Sequence, residues 1–81
     1  MKRQEVISKI LKEEFGITND IELNTNLIDE FGFESISFVE LANLLAKETG
    51  IKIAVSQAVK WKTVQSVLDT ISANEEILLT N

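Results

Sequence analysis

Apolar residues recur at intervals of three and four along three stretches of this chain, and no proline falls anywhere in it. That period marks one face of an α-helix, not the two-residue alternation of a half-buried strand. Val6, Ile7, Ile10, Leu11 and Phe15 make the first face, opposite Lys9, Lys12, Glu13 and Glu14. The spacing predicts a helix over residues 3–15, ended by Gly16. Phe38, Leu41, Ala42 and Leu45 make the second face, on a helix over residues 36–48 that Gly50 closes. Val64, Val67, Leu68 and Ile71 make the third, with Thr63 placed to cap its start; the sequence leaves open whether Glu75–Leu79 continues that helix. Ile51-Lys52-Ile53 alternates like an extended segment too short to build a sheet alone. After it, Ser56 is placed to cap a short helix over residues 57–60, with Val55, Ala58 and Val59 facing inward. Trp61 is expected to plug the joint between that short helix and the last one, with stacking on a ligand as the less favoured alternative. The expected fold is therefore all-α, one domain over residues 1–81. It is a four-helix bundle with a long loop between the first and second helices and a short third helix.

The long connection runs from Ile17 to Glu34. Thr18-Asn19-Asp20 and Asn24-Thr25-Asn26 supply turn and cap material, and Ile21, Leu23, Leu27, Ile28 and Phe31 are expected to anchor the segment to the core. A connection of this length in a compact domain is usually functional or ordered by its own packing. Asp20, Glu22, Asn24 and Asn26 alternate like a calcium-binding EF-hand loop. That pattern fails, because Thr25 stands where the tight turn needs glycine and Phe31 where the bidentate glutamate belongs.

Composition narrows the chemistry. The 81 residues include no cysteine and no histidine, which removes disulfides, the usual zinc sites, thiol nucleophiles and every Ser-His or Cys-His pair. No metal site and no catalytic residue are expected. No run of apolar residues exceeds three, so nothing is expected to insert into a membrane. The N-terminus lacks a signal-peptide core, and the expected location is the cytoplasm. The net charge of -5 is unevenly spread: from Glu13 to Ala46 there is no Lys or Arg, yet that stretch holds Glu13, Glu14, Asp20, Glu22, Asp29, Glu30, Glu34 and Glu40. Such a sector repels nucleic acid, disfavours a helix-turn-helix DNA binder and attracts basic protein surfaces. The plainer reading of the same charge is a solvated acidic loop kept for solubility.

The centre of the sequence is Gly32-Phe33-Glu34-Ser35-Ile36-Ser37-Phe38-Val39-Glu40-Leu41. Ser35 falls at the start of the second helix, beside backbone N–H groups without intrahelical partners and the positive end of the helix dipole. That is a setting that suits a phosphate. The plainer reading makes Ser35 a helix cap, and Ser37-x-x-Glu40 matches a capping box in its own right. On a helical wheel Glu40, Asn43 and Lys47 share the polar face, and Ile36 falls in its middle. An apolar residue there has little structural reason to exist and suits docking.

These residues resemble the attachment motif of acyl carrier proteins, usually Asp-Ser-Leu where this chain has Glu34-Ser35-Ile36. The resemblance extends along the chain. It includes Phe31-Gly32-Phe33-Glu34-Ser35-Ile36, Val39-Glu40-Leu41 and an entry to the last helix at Lys62-Thr63-Val64-Gln65-Ser66-Val67-Leu68-Asp69. It implies a discrete, monomeric carrier, not an enzyme, with 4'-phosphopantetheine from coenzyme A attached at Ser35. A phosphopantetheinyl transferase would install the arm, with Mg²⁺ and basic groups on the transferase neutralising charge. Acyl groups would ride on the arm's thiol as thioesters. Asp29, Glu30, Glu34, Ile36, Glu40 and Asn43 would dock partners, namely acyltransferases or acyl ligases and ketosynthases with basic surfaces. Glu34 and Ile36 depart from the usual residues, and the second helix is less acidic than is common in fatty-acid carriers. The Phe-Gly-Phe-Glu-Ser-Ile wording is closer to polyketide-type carriers. Aminoacyl or peptidyl carriers normally have a Gly-Gly pair or a His before the serine, where this chain has Phe33-Glu34. A helical interaction module without a prosthetic group is the remaining alternative.

Overall fold

The computed structural model describes the backbone of residues 2–80 and the side chains of residues 2–76. The helices are α1 (Arg3–Glu14), α2 (Leu27–Phe31), α3 (Ser35–Thr49), α4 (Val55–Ala58) and α5 (Val64–Thr80). β pairing among the described residues is limited to a lone bridge between Asn26 and Thr63. The all-α expectation holds, and the long helices start and stop within a residue or so of their predicted bounds. α5 runs on to Thr80, which answers the question the sequence left open.

α1, α3 and α5 bury the stripes that their periodicity announces. Ile7, Ile10 and Leu11 from α1, Phe38, Leu41, Ala42 and Leu45 from α3, and Val64, Val67 and Ile71 from α5 form one core with Leu27, Phe33, Ile51, Ala58 and Trp61. Phe15, just past α1, packs against Phe33, just before α3, with ring centroids 5.0 Å apart and the ring planes tilted by 39°. The start of α1 is tied to the later part of α5 by Arg3 Nη2, which donates to Glu75 Oε2 at 2.7 Å. α1 therefore runs antiparallel to both α3 and α5.

Two segments differ from the sequence reading. The long connection carries α2, a turn of helix not anticipated by a four-helix count. Asn26 makes it possible: its Oδ1 accepts from the N–H groups of Ile28 and Asp29 at 3.0 and 2.9 Å, and Glu30 Oε2 accepts from the Asn26 N–H at 3.0 Å. Leu27 is the buried anchor, with Ile21 and Phe31 half-buried, but Leu23 and Ile28 are exposed, contrary to expectation. Backbone pairing holds this segment instead: Leu27 N–H donates to Lys62 C=O at 2.7 Å, Val64 N–H to Thr25 C=O at 3.2 Å and Gln65 N–H to Leu23 C=O at 2.9 Å.

The short helix starts at Val55, not after a Ser56 cap, because Gln57 Oε1 accepts from the Ala54 N–H at 3.0 Å and stands in for a cap. Ala58 faces inward as predicted, whereas Val55 and Val59 face solvent. Thr63 does cap α5, its Oγ1 accepting from the Ser66 N–H at 3.2 Å. Trp61 is buried and its indole N–H donates to Thr70 Oγ1 at 2.8 Å, so it packs where expected with its polar edge satisfied.

Candidate functional site

Gly32 sets the geometry. It ends α2 at φ 68° and ψ 29°, a left-handed conformation that costs a residue with a Cβ roughly 1–2 kcal/mol. Its N–H and that of Phe33 donate back to Ile28 and Leu27. This turn drives Phe33 into the core, where it meets Phe15 on one side and the Phe38 ring edge-on at 5.3 Å on the other. Phe38 in turn meets Trp61 at 6.4 Å. Ser35 is thus suspended between two buried aromatics, Phe33 two residues before it and Phe38 three after, and is itself exposed.

The backbone N-cap of α3 is Glu34, with φ -116° and ψ 176°, and Ser35 is the first helical residue. The first intrahelical bond is from Phe38 N–H to Glu34 C=O at 3.2 Å. The N–H groups of Ser35, Ile36 and Ser37 therefore point out of the helix without intrahelical acceptors. The capping work falls to Ser37, whose Oγ accepts from the Glu34 N–H at 3.2 Å. Ser37 sits inside the first turn rather than at the cap of the box suggested by Ser37-x-x-Glu40. The Ser35 hydroxyl makes no hydrogen bond to any described residue. Two serines compete on paper for the capping role, and the structure gives it to Ser37.

A phosphodiester on Ser35 fits this geometry. The oxygen is unencumbered, the neighbouring N–H groups suit a phosphate, and the dipole of a 15-residue helix favours negative charge there. Among the described residues there is no group of three His, Cys, Asp or Glu side chains arranged to hold a metal ion. Among the described residues no helix is long and apolar enough to cross a membrane.

The other predicted site residues sort into two groups. Ile36, Glu40 and Asn43 follow one another at helical spacing along the outward side of α3, all exposed, with Ile36 at 74%. Glu34 and Asp29 are also exposed, at the α3 cap and on α2. Glu30 is exposed too, but its carboxylate is engaged in capping α2. The sequence reading missed the exposed Ile28, Val55 and Val59. The valines sit a helical turn apart, a pattern as consistent with an outward face as with an inward one. Only the amide of Gln57 beside the small Ala58 hinted which face turns in.

Comparison with known proteins gives two findings. Residues 5–71 match the family described as "Phosphopantetheine attachment site". A structure from Mycobacterium tuberculosis, provisionally described as an acyl carrier protein, superposes with a TM-score of 0.79 at 26% identity, over 89% of this chain and 97% of that one.

Proposed function

This chain belongs to the phosphopantetheine-attachment family and is an acyl carrier protein, a non-catalytic carrier with a covalent 4'-phosphopantetheine, and we propose that Ser35 is the residue that holds the arm. The observation that carries the assignment is the division of labour at the start of α3: Ser37 caps, and Ser35 is exposed with a free hydroxyl. In the modification, Ser35 Oγ forms a bond to the β-phosphorus of coenzyme A. The pyrophosphate bond breaks, adenosine 3',5'-bisphosphate leaves, and the hydroxyl proton passes to a base on the transferase. The arm's thiol then supplies thioester chemistry. The chain's own part is to fix the attachment point on a rigid helix and to present a recognisable surface around it.

For that surface, the reading assigns Ile36, Glu40 and Asn43 along α3, with Glu34 and Asp29 beside the arm. Glu30 contributes charge while it caps α2. The partners are a phosphopantetheinyl transferase and acyl-transferring or condensing enzymes with basic docking faces. The cargo is an acyl group of a fatty-acid or polyketide-type pathway, favoured over an aminoacyl or peptidyl one by Phe33-Glu34 ahead of the serine. The buried Phe33 gives that dipeptide a structural reason, since a glycine there would leave the gap between Phe15 and Phe38 unfilled.

Incubation with coenzyme A, Mg²⁺ and a broad-specificity transferase tests the assignment by intact mass. Wild type and Ser37→Ala are expected to gain one phosphopantetheine, and Ser35→Ala none. A gain that persists in Ser35→Ala overturns it.

A further inference from the structure

The large apolar side chains exposed among the described residues are Leu23, Ile28, Ile36, Val55 and Val59, none on α1 or on α5 up to Glu76. Val55, the first residue of α4, and Val59, the residue just past its end, stand 60% and 41% exposed, and α4 buries only Ala58. α4 does not hold its orientation by burying its valines. It is clamped by amides: Gln57 Nε2 donates to Asn74 Oδ1 at 3.0 Å, Asn74 Nδ2 donates to Gln57 Oε1 at 3.0 Å and to Lys52 C=O at 2.9 Å. Polar bonds therefore turn Gln57 and Ala58 inward and fix both valines in water.

Charge around this face is the reverse of that around Ser35. From Thr49 to Leu68 there is no Asp or Glu, and the stretch holds Lys52, Lys60 and Lys62. All three are exposed, and none forms an ion pair among the described residues. The bond from Leu27 N–H to Lys62 C=O and the Phe38–Trp61 contact join this basic shoulder to the starts of α2 and α3. The sign of the exposed charge thus changes between the acidic stretch that ends before Lys47 and the stretch from Thr49 to Leu68.

We propose that the outward face of α4 is a docking site for a protein surface whose apolar strip is flanked by carboxylates. Charge complementarity selects that occupant, since exposed valines among unpaired lysines are poorly matched by a basic surface. An anionic bilayer is the weaker candidate, because the net charge of -5 and the adjoining acidic stretch repel it. A partner that meets α4 with acid and α3 with base can dock in one orientation only, so the second sign supplies register. The inference stands apart from the arm attachment, and its test needs no modified Ser35.

The full chain, isotope-labelled for NMR, is titrated with a synthetic amphipathic helical peptide carrying a leucine strip flanked by glutamates. The same peptide with lysines for glutamates, and vesicles of phosphatidylcholine with phosphatidylglycerol, are the other probes. The acidic peptide is expected to shift the amides of Val55 to Lys62. The double variant Lys60→Glu with Lys62→Glu should weaken it about tenfold. Val55→Ser with Val59→Ser should also weaken it while leaving the thermal midpoint in place. Glu34→Lys with Glu40→Lys should not weaken it. No shift with the acidic peptide, equal shifts at α4 with the basic one, indifference to the lysine reversals, or tighter association with the vesicles than with the acidic peptide would each overturn the proposal.

Discussion

α3 and α4 both place apolar residues a turn apart, yet one is held by what it buries and the other by what it bonds. α3 sinks Phe38, Leu41, Ala42 and Leu45 into the core and leaves Ile36 outside. α4 sinks Ala58 alone and relies on the Gln57–Asn74 amide pair for its orientation. A long helix can tolerate an exposed apolar residue because its remaining contacts fix its rotation. A four-residue helix cannot fix itself that way, and side-chain hydrogen bonds take over. The same contrast separates α1 and α5 from α2, which is held by the Asn26 cap and by backbone pairing with the start of α5.

The largest expected effect tests the burial side of this contrast. Leu45→Ala removes a fully buried side chain and should destabilise the fold by about 2–5 kcal/mol, read by denaturant unfolding. Ile36→Ala on the same helix should leave the midpoint almost unchanged while slowing modification of Ser35. Equal losses of stability for the two would mean that α3 does not distinguish its faces as described.

That contrast also explains what was legible in the sequence. Where a helix is long, periodicity averages over many residues, and the core faces of α1, α3 and α5 could be read directly. Gly16 and Gly50 marked ends, and Thr63 marked a start. In α2 and α4 there are too few residues for a period. Leu23 and Ile28 look like anchors by type, as do Val55 and Val59, and all four are exposed. The deciding partners, Asn74 for α4 and Lys62 for α2, lie far along the chain and carry no local signal. Phe33 belongs to the motif but carries no sign of its place in the core, because a single aromatic between Gly32 and Glu34 has no pattern around it. The position of Ser35 at the helix start was legible. Its freedom from capping was not, since that depends on which of two serines faces the Glu34 N–H.

The hydrogen-bonded side of the contrast predicts smaller, local effects. Asn26→Ala deletes the α2 cap and should cost about 0.5–2 kcal/mol. Hydrogen exchange should show faster opening of residues 27–33 than of α1. Asn74→Ala removes three side-chain hydrogen bonds, each worth about 0.5–1.5 kcal/mol net, and should cost about 1–3 kcal/mol, with rapid exchange confined to α4 and the segment before it. Uniform loosening of α1, α3 and α5 by either variant would contradict a division into buried and bonded elements.

The smallest effect expected on stability, and the most telling for function, concerns the carboxylates beside Ser35. Glu34 and Glu40 are exposed and in no ion pair among the described residues. Exposed charge pairs are worth only about 0–1 kcal/mol each, so reversing both to Lys should barely move the unfolding midpoint. If they steer a basic transferase, their effect is on association. It must weaken as salt shortens the Debye length to about 10 Å at 0.1 M. The second-order rate of Ser35 modification should therefore fall as monovalent salt rises, and Glu34→Lys with Glu40→Lys should slow it at low salt and flatten that dependence. Glu48→Lys with Glu76→Lys makes the same change in net charge at the far end of α3 and on α5. Glu75 would be a poor choice for this purpose, because Arg3 already pairs with it. The distant pair should do much less, since steering depends on where the charge sits relative to the approaching enzyme. Equal slowing by both double variants would show that the transferase responds to overall charge, and the outward side of α3 would then be a solubilising coat around the serine rather than a surface that partners read.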